Sequence, residues 1–171
     1  MSEIRKIRLI KPAPLTAKNF APYGDVIEVS NRAEPRTINQ GNTLRYHDLA
    51  RLELMAEGGR PSINIFRSKP LPRPVMIRLM ERHPLSSQVF FPLGEQPYLV
   101  VVAKPGDFHP KHIRAFLAGA DQGVNFHPGV WHHYSLALNE PSDFLVIDRL
   151  GPGEDCEEAF LEENKLISID Y

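Results

Sequence analysis

Proline and glycine interrupt this chain so often that long helices have no room to form. Sixteen prolines and eleven glycines are spread through 171 residues, and proline is excluded from helix interiors and from central strands. The stretches between them are short and rich in β-branched and aromatic residues, as in the apolar run 98–103. This pattern predicts roughly ten to twelve short strands and very little helix, and therefore an all-β barrel or sandwich.

Composition and charge limit the class of protein. A length of 171 residues suits one domain that spans positions 1–171. Hydrophobic residues make up 42% of the chain, yet no apolar run approaches the ~20 residues of a membrane span. Twenty basic and 21 acidic side chains give a net charge of -1, which argues against nucleic-acid binding. A single cysteine and a start without an apolar signal region predict a cytoplasmic setting.

Residues 122–133 hold three of the seven histidines and the only tryptophan, with Pro128 and Gly129 at the centre. Strand-like runs lie on both sides of this turn, a pattern typical of a β-hairpin. The predicted hairpin holds His132 on a strand, where an imidazole is well positioned to bind a metal or transfer a proton. We expect His133 to face the opposite side. His132 is therefore the candidate functional histidine.

A second informative stretch covers residues 75–83, which we expect to form one strand. Side chains on a strand alternate between its two faces. One face of this strand then carries Val75, Ile77, Leu79, Glu81 and His83. A carboxylate that continues an apolar, inward-facing row needs a charge partner, a hydrogen-bond network or a metal. Glu81 and His83 are therefore candidate site residues.

Side chains from these two stretches and from the strand between them can converge inside a small barrel. The candidate metal ligands are Glu81, His83, Gln88 and His132. One Glu, one Gln and two His suit a borderline divalent ion such as nickel, zinc, manganese or iron. Two other interpretations stay open. His83 precedes Pro84 and can simply belong to a turn, and His132 can be a hydrogen-bonded core imidazole.

Other chemistries lack their sequence signals. The chain has no Gly-rich phosphate loop, no G-x-S-x-G elbow, no CxxC pair and no His-Glu-x-x-His. The single thiol, Cys156, is surrounded by acidic residues that raise its pKa, so we do not expect it to act as a nucleophile. Acid–base or metal-assisted chemistry remains.

Arginines are a second set of candidate site residues, because a guanidinium binds a planar carboxylate through two hydrogen bonds. Those in or at the end of predicted strands are Arg45, Arg67, Arg114 and Arg149. We expect one or two of them to face a cavity. The alternative is pairing with nearby acids, Asp48 for Arg45, and Asp143 or Asp148 for Arg149.

The order of these residues resembles two known patterns. The cupin superfamily has two motifs, which are matched here by Glu81-Arg82-His83, Gln88 and Gly94, and then by Gly123, Pro128-Gly129 and His132. A narrower resemblance, over nearly the whole chain, is to the ureidoglycolate lyase family. It is carried, in the family's order, by residues 21–28 (APYGDVIE), 45–50 (RYHDLA), 81–85 (ERHPL), 114–116 (RAF), 122–125 with 130–133 (QGVN and VWHH), and 143–145 with 148–149 (DFL and DR).

The resemblance implies a cupin-like double-stranded β-helix, a homodimer, and nickel as the metal. It also implies cleavage of (S)-ureidoglycolate into glyoxylate and urea during allantoin breakdown. Within that chemistry His83 and His132 would hold the metal, and Glu81 would be either a ligand or the general base. Arg45 or Arg149 would bind the substrate carboxylate, and Asn39 the ureido group. Two alternatives remain: a non-catalytic cupin-like binding protein for a ureide or keto acid, and a cupin enzyme for a related hydroxy acid.

Overall fold

The computed structural model describes residues 7–30, 34–163 and 165–171. Short strands dominate this part of the chain, and its α-helix α1 covers only Ala17–Phe20. The strands, in chain order, are β1 (Arg8–Ile10), β2 (Ala13–Pro14), β3 (Gly24–Ile27), β4 (Arg36–Ile38), β5 (Thr43–Arg45), β6 (Arg60–Ser68), β7 (Val75–Ile77), β8 (Leu79–Arg82), β9 (Gln88–Pro92), β10 (Tyr98–Ala103), β11 (Arg114–Ala118), β12 (Gly123–Phe126), β13 (Trp131–His132), β14 (Leu136–Ala137), β15 (Ser142–Leu150), β16 (Glu157–Phe160) and β17 (Ile167–Ile169). Three 3-10 turns cover Asn39–Gly41, Ala56–Gly58 and Pro110–His112.

Three sheets stack in layers. The central sheet has the strand order β16-β8-β13-β10-β11-β2, with β14 also paired to β10. The front sheet has the order β3-β12-β9-β15-β6, and the back sheet the order β1-β17-β7. A separate hairpin, β4–β5, pairs with none of these three sheets among the described residues. The prediction of an all-β fold with very little helix is confirmed for the described residues.

Strand β10 shows how the layers pack, because both of its faces are buried. Tyr98, Val100 and Val102 join the first core, which lies between the central and front sheets. Leu99 and Val101 join the second core, between the central and back sheets. A strand covered on both faces is a continuous apolar run rather than an alternating one, which explains the uninterrupted sequence of this segment.

The predicted hairpin around Pro128 and Gly129 is wrong. Strand β12, before the turn, pairs with β3 and β9 in the front sheet, whereas β13, after it, pairs with β10 and β8 in the central sheet. The turn is tight: the Val130 amide donates to the His127 carbonyl at 3.2 Å, and Gly129 adopts a φ of 75°, which favours glycine. The turn therefore carries the chain from one wall of the first core to the other.

The single strand expected over residues 75–83 is also wrong. It divides at the exposed Arg78 into β7, in the back sheet, and β8, in the central sheet. Ile77 and Met80, both 0% exposed, face the second core. Ile77 and Met80 are three positions apart, a spacing that would put them on opposite faces of one regular strand. Since both face the second core, the alternation of side chains between the two faces shifts by one residue at the break. Glu81 therefore lies on the face opposite the apolar residues, and not in one row with Ile77.

The C-terminal region departs from expectation as well. The sequence from Phe160 to Lys165 favours one helical turn, but Phe160 ends β16, which pairs with β8. After it, β17 lies between β1, in parallel, and β7, antiparallel. The predicted first strand over residues 4–10 is seen as β1, and its residues 4–6 lie outside the described part. No helix among the described residues is long and apolar enough to cross a membrane.

Candidate active site

The sheet-crossing turn places His132 beside the strand that carries Glu81. Strand β13 pairs with β8 so that His132 lies directly opposite Glu81, and paired residues project to the same side of a sheet. His83 follows the end of β8, and its ring centroid lies 5.2 Å from that of His132. One ligand atom from each of Glu81, His83 and His132 lies within 4.8 Å of the other two. We call these three residues the triad.

His132 is held rigidly and remains neutral. Its side chain is 1% exposed, and its ring stacks on Phe126 with the centroids 4.3 Å apart and the planes 1° from parallel. Burial lowers the pKa of His132 to about 3, with smaller effects from His83 and His133. The 3.8 Å approach of Nδ1 to the Glu81 carboxylate is therefore not an ion pair near pH 7.

The two triad imidazoles have the same arrangement of partners. His132 Nδ1 lies 3.2 Å from the His133 carbonyl, and His83 Nδ1 contacts the Asp155 carbonyl. A carbonyl only accepts, so each Nδ1 is the protonated nitrogen. The Nε2 atoms of both rings are buried and have no hydrogen-bond partner among the residues that the structure describes. Each ring therefore carries one free, unprotonated nitrogen, as a metal ligand does.

Asp155 fixes the segment that carries His83. Its carboxylate accepts hydrogen bonds from the Leu85 amide and from the Ser86 hydroxyl, both at 2.6 Å, while its backbone carbonyl contacts His83. Sequence reasoning missed this role. The acidic run around Cys156 was interpreted only as the surroundings of the thiol. The pKa of that thiol is raised, first by burial and then by the carboxylates of Glu81, Glu158 and Asp155.

Glu81 is largely shielded from water, with 20% of its side chain exposed. Burial raises the pKa of Glu81, Glu158 raises it further, and His83 opposes both. A carboxylate with a raised pKa is a suitable proton acceptor near neutral pH. Two imidazoles with free Nε2 atoms and one carboxylate also form a donor set that fits a divalent transition-metal ion.

The front sheet supplies the facing wall of the site. Phe90 on β9 and Val146 on β15 belong to the first core. Gln88 precedes Phe90 by two residues and Asp148 follows Val146 by two, so both side chains project to the side of the first core. Gln88 lies opposite Phe126, whose ring stacks on His132, and the Gln88 amide lies beside the Asp148 carboxylate. The Oε1 atom of Gln88 is buried without a partner. The structure thus places Gln88 at the site, together with Asp148, which the sequence analysis had assigned to Arg149.

The three predicted substrate-binding residues lie apart from the triad's hydrogen-bond network. Asn39 and Arg45 are exposed in the β4–β5 hairpin region, where Asn39 donates to the Thr43 hydroxyl at 3.2 Å. Arg149 follows Asp148 on β15 and projects to the opposite face. Its guanidinium donates to the carbonyls of Ala56 at 3.0 Å and of Pro152 at 2.7 Å. Their roles in substrate binding stay predictions.

The fold and the site define an all-β protein with a candidate metal-binding active site at one end of its first core. A family model described as ureidoglycolate lyase matches residues 7–168. The ureidoglycolate lyase of Burkholderia mallei is 49% identical over 157 residues, which cover 92% of each chain. That of Brucella melitensis is 50% identical over 158 residues, which cover 92% of this chain and 93% of the relative. The ureidoglycolate lyase of Stutzerimonas stutzeri is 46% identical over 165 residues, 96% of each chain. This chain belongs to the ureidoglycolate lyase family.

Among solved structures, RmlC from Streptococcus suis in complex with dTDP-D-xylose aligns with a TM-score of 0.47 at 14% identity. The alignment covers 76% of this chain and 63% of that one.

Proposed function

We propose that this protein is a ureidoglycolate lyase that splits (S)-ureidoglycolate into glyoxylate and urea in allantoin degradation. The reaction makes it a carbon–nitrogen lyase of the amidine-lyase type. Family membership supports the activity, and one structural observation supports the site: a shielded carboxylate with a raised pKa, Glu81, beside two imidazoles with free Nε2 atoms.

The residues account for both proton transfers of such an elimination. In ureidoglycolate one carbon carries a hydroxyl, a carboxylate and a ureido nitrogen. Glu81 accepts the hydroxyl proton, the C–O bond becomes a carbonyl, and the C–N bond breaks with its electron pair on nitrogen. Glu81 then returns the proton to that nitrogen, which leaves as urea, so no net proton is taken up.

We further propose that the triad holds a divalent ion, and that this ion is nickel. His83 and His132 would bind it through Nε2, with Glu81 or Gln88 completing the set. A bound divalent ion supplies positive charge that lowers the pKa of a nearby hydroxyl. The support in this chain is the pair of buried, unpartnered nitrogens, because buried polar atoms normally have partners.

The partner that we propose is a second copy of the chain. Strand β6 lies at the edge of the front sheet, and its outward residues Ile63 and Ile65 are 73% and 56% exposed. The β4–β5 hairpin exposes Ile38 and Leu44 as well. Apolar side chains on an edge strand favour association. We expect a dimer in sedimentation analysis and a shift towards monomer in Ile63→Asp, whereas an unchanged mass would contradict this surface.

One assay tests the activity and the metal together. Purified protein is given (S)-ureidoglycolate as isolated, after chelation, and after reloading with nickel, zinc or manganese, while urea, glyoxylate and metal content are measured. We expect both products in equal amounts, loss of turnover on chelation, and best recovery with nickel. Substrate binding without product release under every condition would instead support a binding protein.

A further inference from the structure

The front sheet presents hydrogen-bond acceptors to the triad, and the proposed chemistry has not yet used them. The Asp148 carboxylate accepts from Asn64 Nδ2 at 2.9 Å, and the amide of Gln88 lies beside it. Strand register supports this placement, because Asn64 lies opposite Val146, a first-core residue on β15. Among the residues that the structure describes, no lysine or arginine forms an ion pair with Asp148. We call Asn64, Gln88 and Asp148 the acceptor wall.

The two amides orient the wall so that acceptor atoms remain free. A carboxylate offers about four acceptor positions, and the two amides use only part of them. Because a carboxylate only accepts, Gln88 presents its amide nitrogen to the neighbouring Asp148 and its Oε1 elsewhere. That atom is buried, with the residue 6% exposed, and it has no partner. A buried acceptor without a donor is uncommon in folded proteins, and here it lies in the wall of the candidate site.

We propose that the acceptor wall binds the ureido end of the substrate. This inference rests on the proposed function, because it assigns one end of ureidoglycolate to these residues. A ureido group carries N–H donors on both of its nitrogens, and a carboxylate can receive two parallel N–H donors in the way that it receives a guanidinium. Asp148 takes this pair of donors, and Gln88 Oε1, which in this assignment is not a metal ligand, accepts the remaining N–H of the terminal amide.

The position of the wall suits this role. Gln88 lies opposite Phe126, and the ring of Phe126 stacks on His132, so the wall adjoins the triad. A ureido group bound there leaves the hydroxyl-bearing carbon directed towards Glu81. The wall also provides selectivity, because a hydroxy acid without N–H donors leaves Asp148 and Gln88 desolvated and unpaired. Ureides are therefore favoured over simple hydroxy acids.

A binding experiment tests the inference without turnover. The probes are N-carbamoylglycine, which has the ureido group and the carboxylate but no hydroxyl to eliminate, and glycolate, which lacks the ureido group. Calorimetric titration of the metal-loaded wild type and of Asp148→Asn gives the affinity for each. We expect Asp148→Asn to lower the affinity for N-carbamoylglycine about tenfold, because one charge-assisted hydrogen bond is lost. The affinity for glycolate should stay within about twofold of the wild-type value.

Asp143→Asn is the matched control. Asp143 lies on the same strand, on the opposite face, and pairs with Arg67 at 2.8 Å, so this variant should bind both probes like the wild type. Gln88→Met is the second variant, and its metal content is measured as well. We expect weaker N-carbamoylglycine binding at unchanged metal content.

The outcomes separate the two proposals. Three results overturn the ureido assignment. They are an equal loss of affinity for both probes in Asp148→Asn, no loss of affinity for either probe, and no detectable binding of N-carbamoylglycine by the wild type. Loss of metal in Gln88→Met removes Gln88 from the wall. Selective binding of N-carbamoylglycine by a protein that releases no urea from ureidoglycolate refutes the lyase activity and leaves the acceptor wall standing.

Discussion

The two cores share the central sheet but end differently. The second core consists of apolar side chains and of Trp131, which donates its indole N–H to the Gly106 carbonyl at 2.9 Å, and the Tyr171 hydroxyl is a buried polar atom without a described partner at its edge. The first core is also apolar at its centre, but one end of it is lined by the triad and the acceptor wall. Three polar atoms at that end have no partner: Nε2 of His83, Nε2 of His132 and Oε1 of Gln88.

Strand alternation separates these two environments one residue at a time. Met80 is 0% exposed in the second core, while the next residue, Glu81, belongs to the triad. Likewise Trp131 packs in the second core and His132 faces the first. Stability and chemistry therefore lie on opposite faces of β8 and β13. Substitutions at neighbouring positions should affect one property and spare the other, which makes the comparison testable.

The largest effect is expected at Glu81. Replacing this carboxylate by an isosteric amide in Glu81→Gln removes the proton acceptor, so kcat for ureidoglycolate cleavage should fall by roughly 10²–10⁴-fold. The unfolding free energy should change little. Metal content, measured on the same preparation, distinguishes the two roles: unchanged metal identifies a base, and lost metal identifies a ligand. Turnover within a few-fold of the wild type would show that Glu81 is neither.

The adjacent substitution should have the opposite profile. Met80→Ala removes a fully buried side chain from the second core, so we expect it to lower the unfolding free energy by about 2–5 kcal/mol. Guanidinium unfolding gives this value. Because Met80 faces away from the triad, kcat of the folded variant should stay near that of the wild type. A large loss of kcat without a loss of stability would show that the two faces are coupled.

Local signals predicted individual elements well. The sequence favours a short helix over residues 17–20 with Thr16 as its N-cap, and α1 has these bounds, with the Thr16 hydroxyl accepting from the Asn19 amide at 3.1 Å. The turns on either side favour strands over residues 88–92 and 98–103, and β9 and β10 have these bounds. In each case the deciding physics lies within a few residues: a capping side chain, a turn on either side, or an apolar run. The choice of sheet was not predictable in this way, since a Pro-Gly turn can join two paired strands or lead from one sheet to another.

The site was foreseeable only in part, for the same reason. Residue types and spacing singled out Glu81, His83 and His132, and the structure brings them together. The partners Asp148 and Asp155 were not foreseen in these roles. An acid beside an arginine in sequence suggests an ion pair, but Asp148 and Arg149 project to opposite faces of β15. The contacts of Asp155 span 69 to 72 residues of chain, a distance that no local pattern encodes.

A substitution of Asp155 should have a smaller effect, and it tests how the segment that carries His83 is fixed. In Asp155→Ala the Leu85 amide and the Ser86 hydroxyl lose their acceptor, so the segment that positions His83 loosens. Groups that orient metal ligands typically contribute 10–100-fold to metal affinity or activity, and we expect a loss of about that size in both. Titration with nickel and steady-state kinetics measure it. An unchanged metal affinity would mean that the backbone alone orients His83.

The smallest effect is a pH dependence at His133, the neighbour of the triad histidine. Burial lowers the pKa of His133 from 6.5 to about 4, with a small opposing effect from its hydrogen bond to the Tyr134 carbonyl. Between these two values the unfolded chain binds a proton at this position that the folded chain does not. Stability therefore falls as the pH drops through this window, by up to about 1.4 kcal/mol per pH unit for one such group.

Replacing His133 by Gln removes this proton, so the acid-induced loss of stability should become shallower by about that amount per pH unit. His132, whose pKa is lowered in the same direction, still titrates in the variant, and some slope therefore remains. Guanidinium unfolding of the metal-free protein at several values between pH 7 and pH 4.5 gives both slopes. Identical slopes would mean that His133 gains access to water in solution, and its burial beside the first-core site would then be wrong.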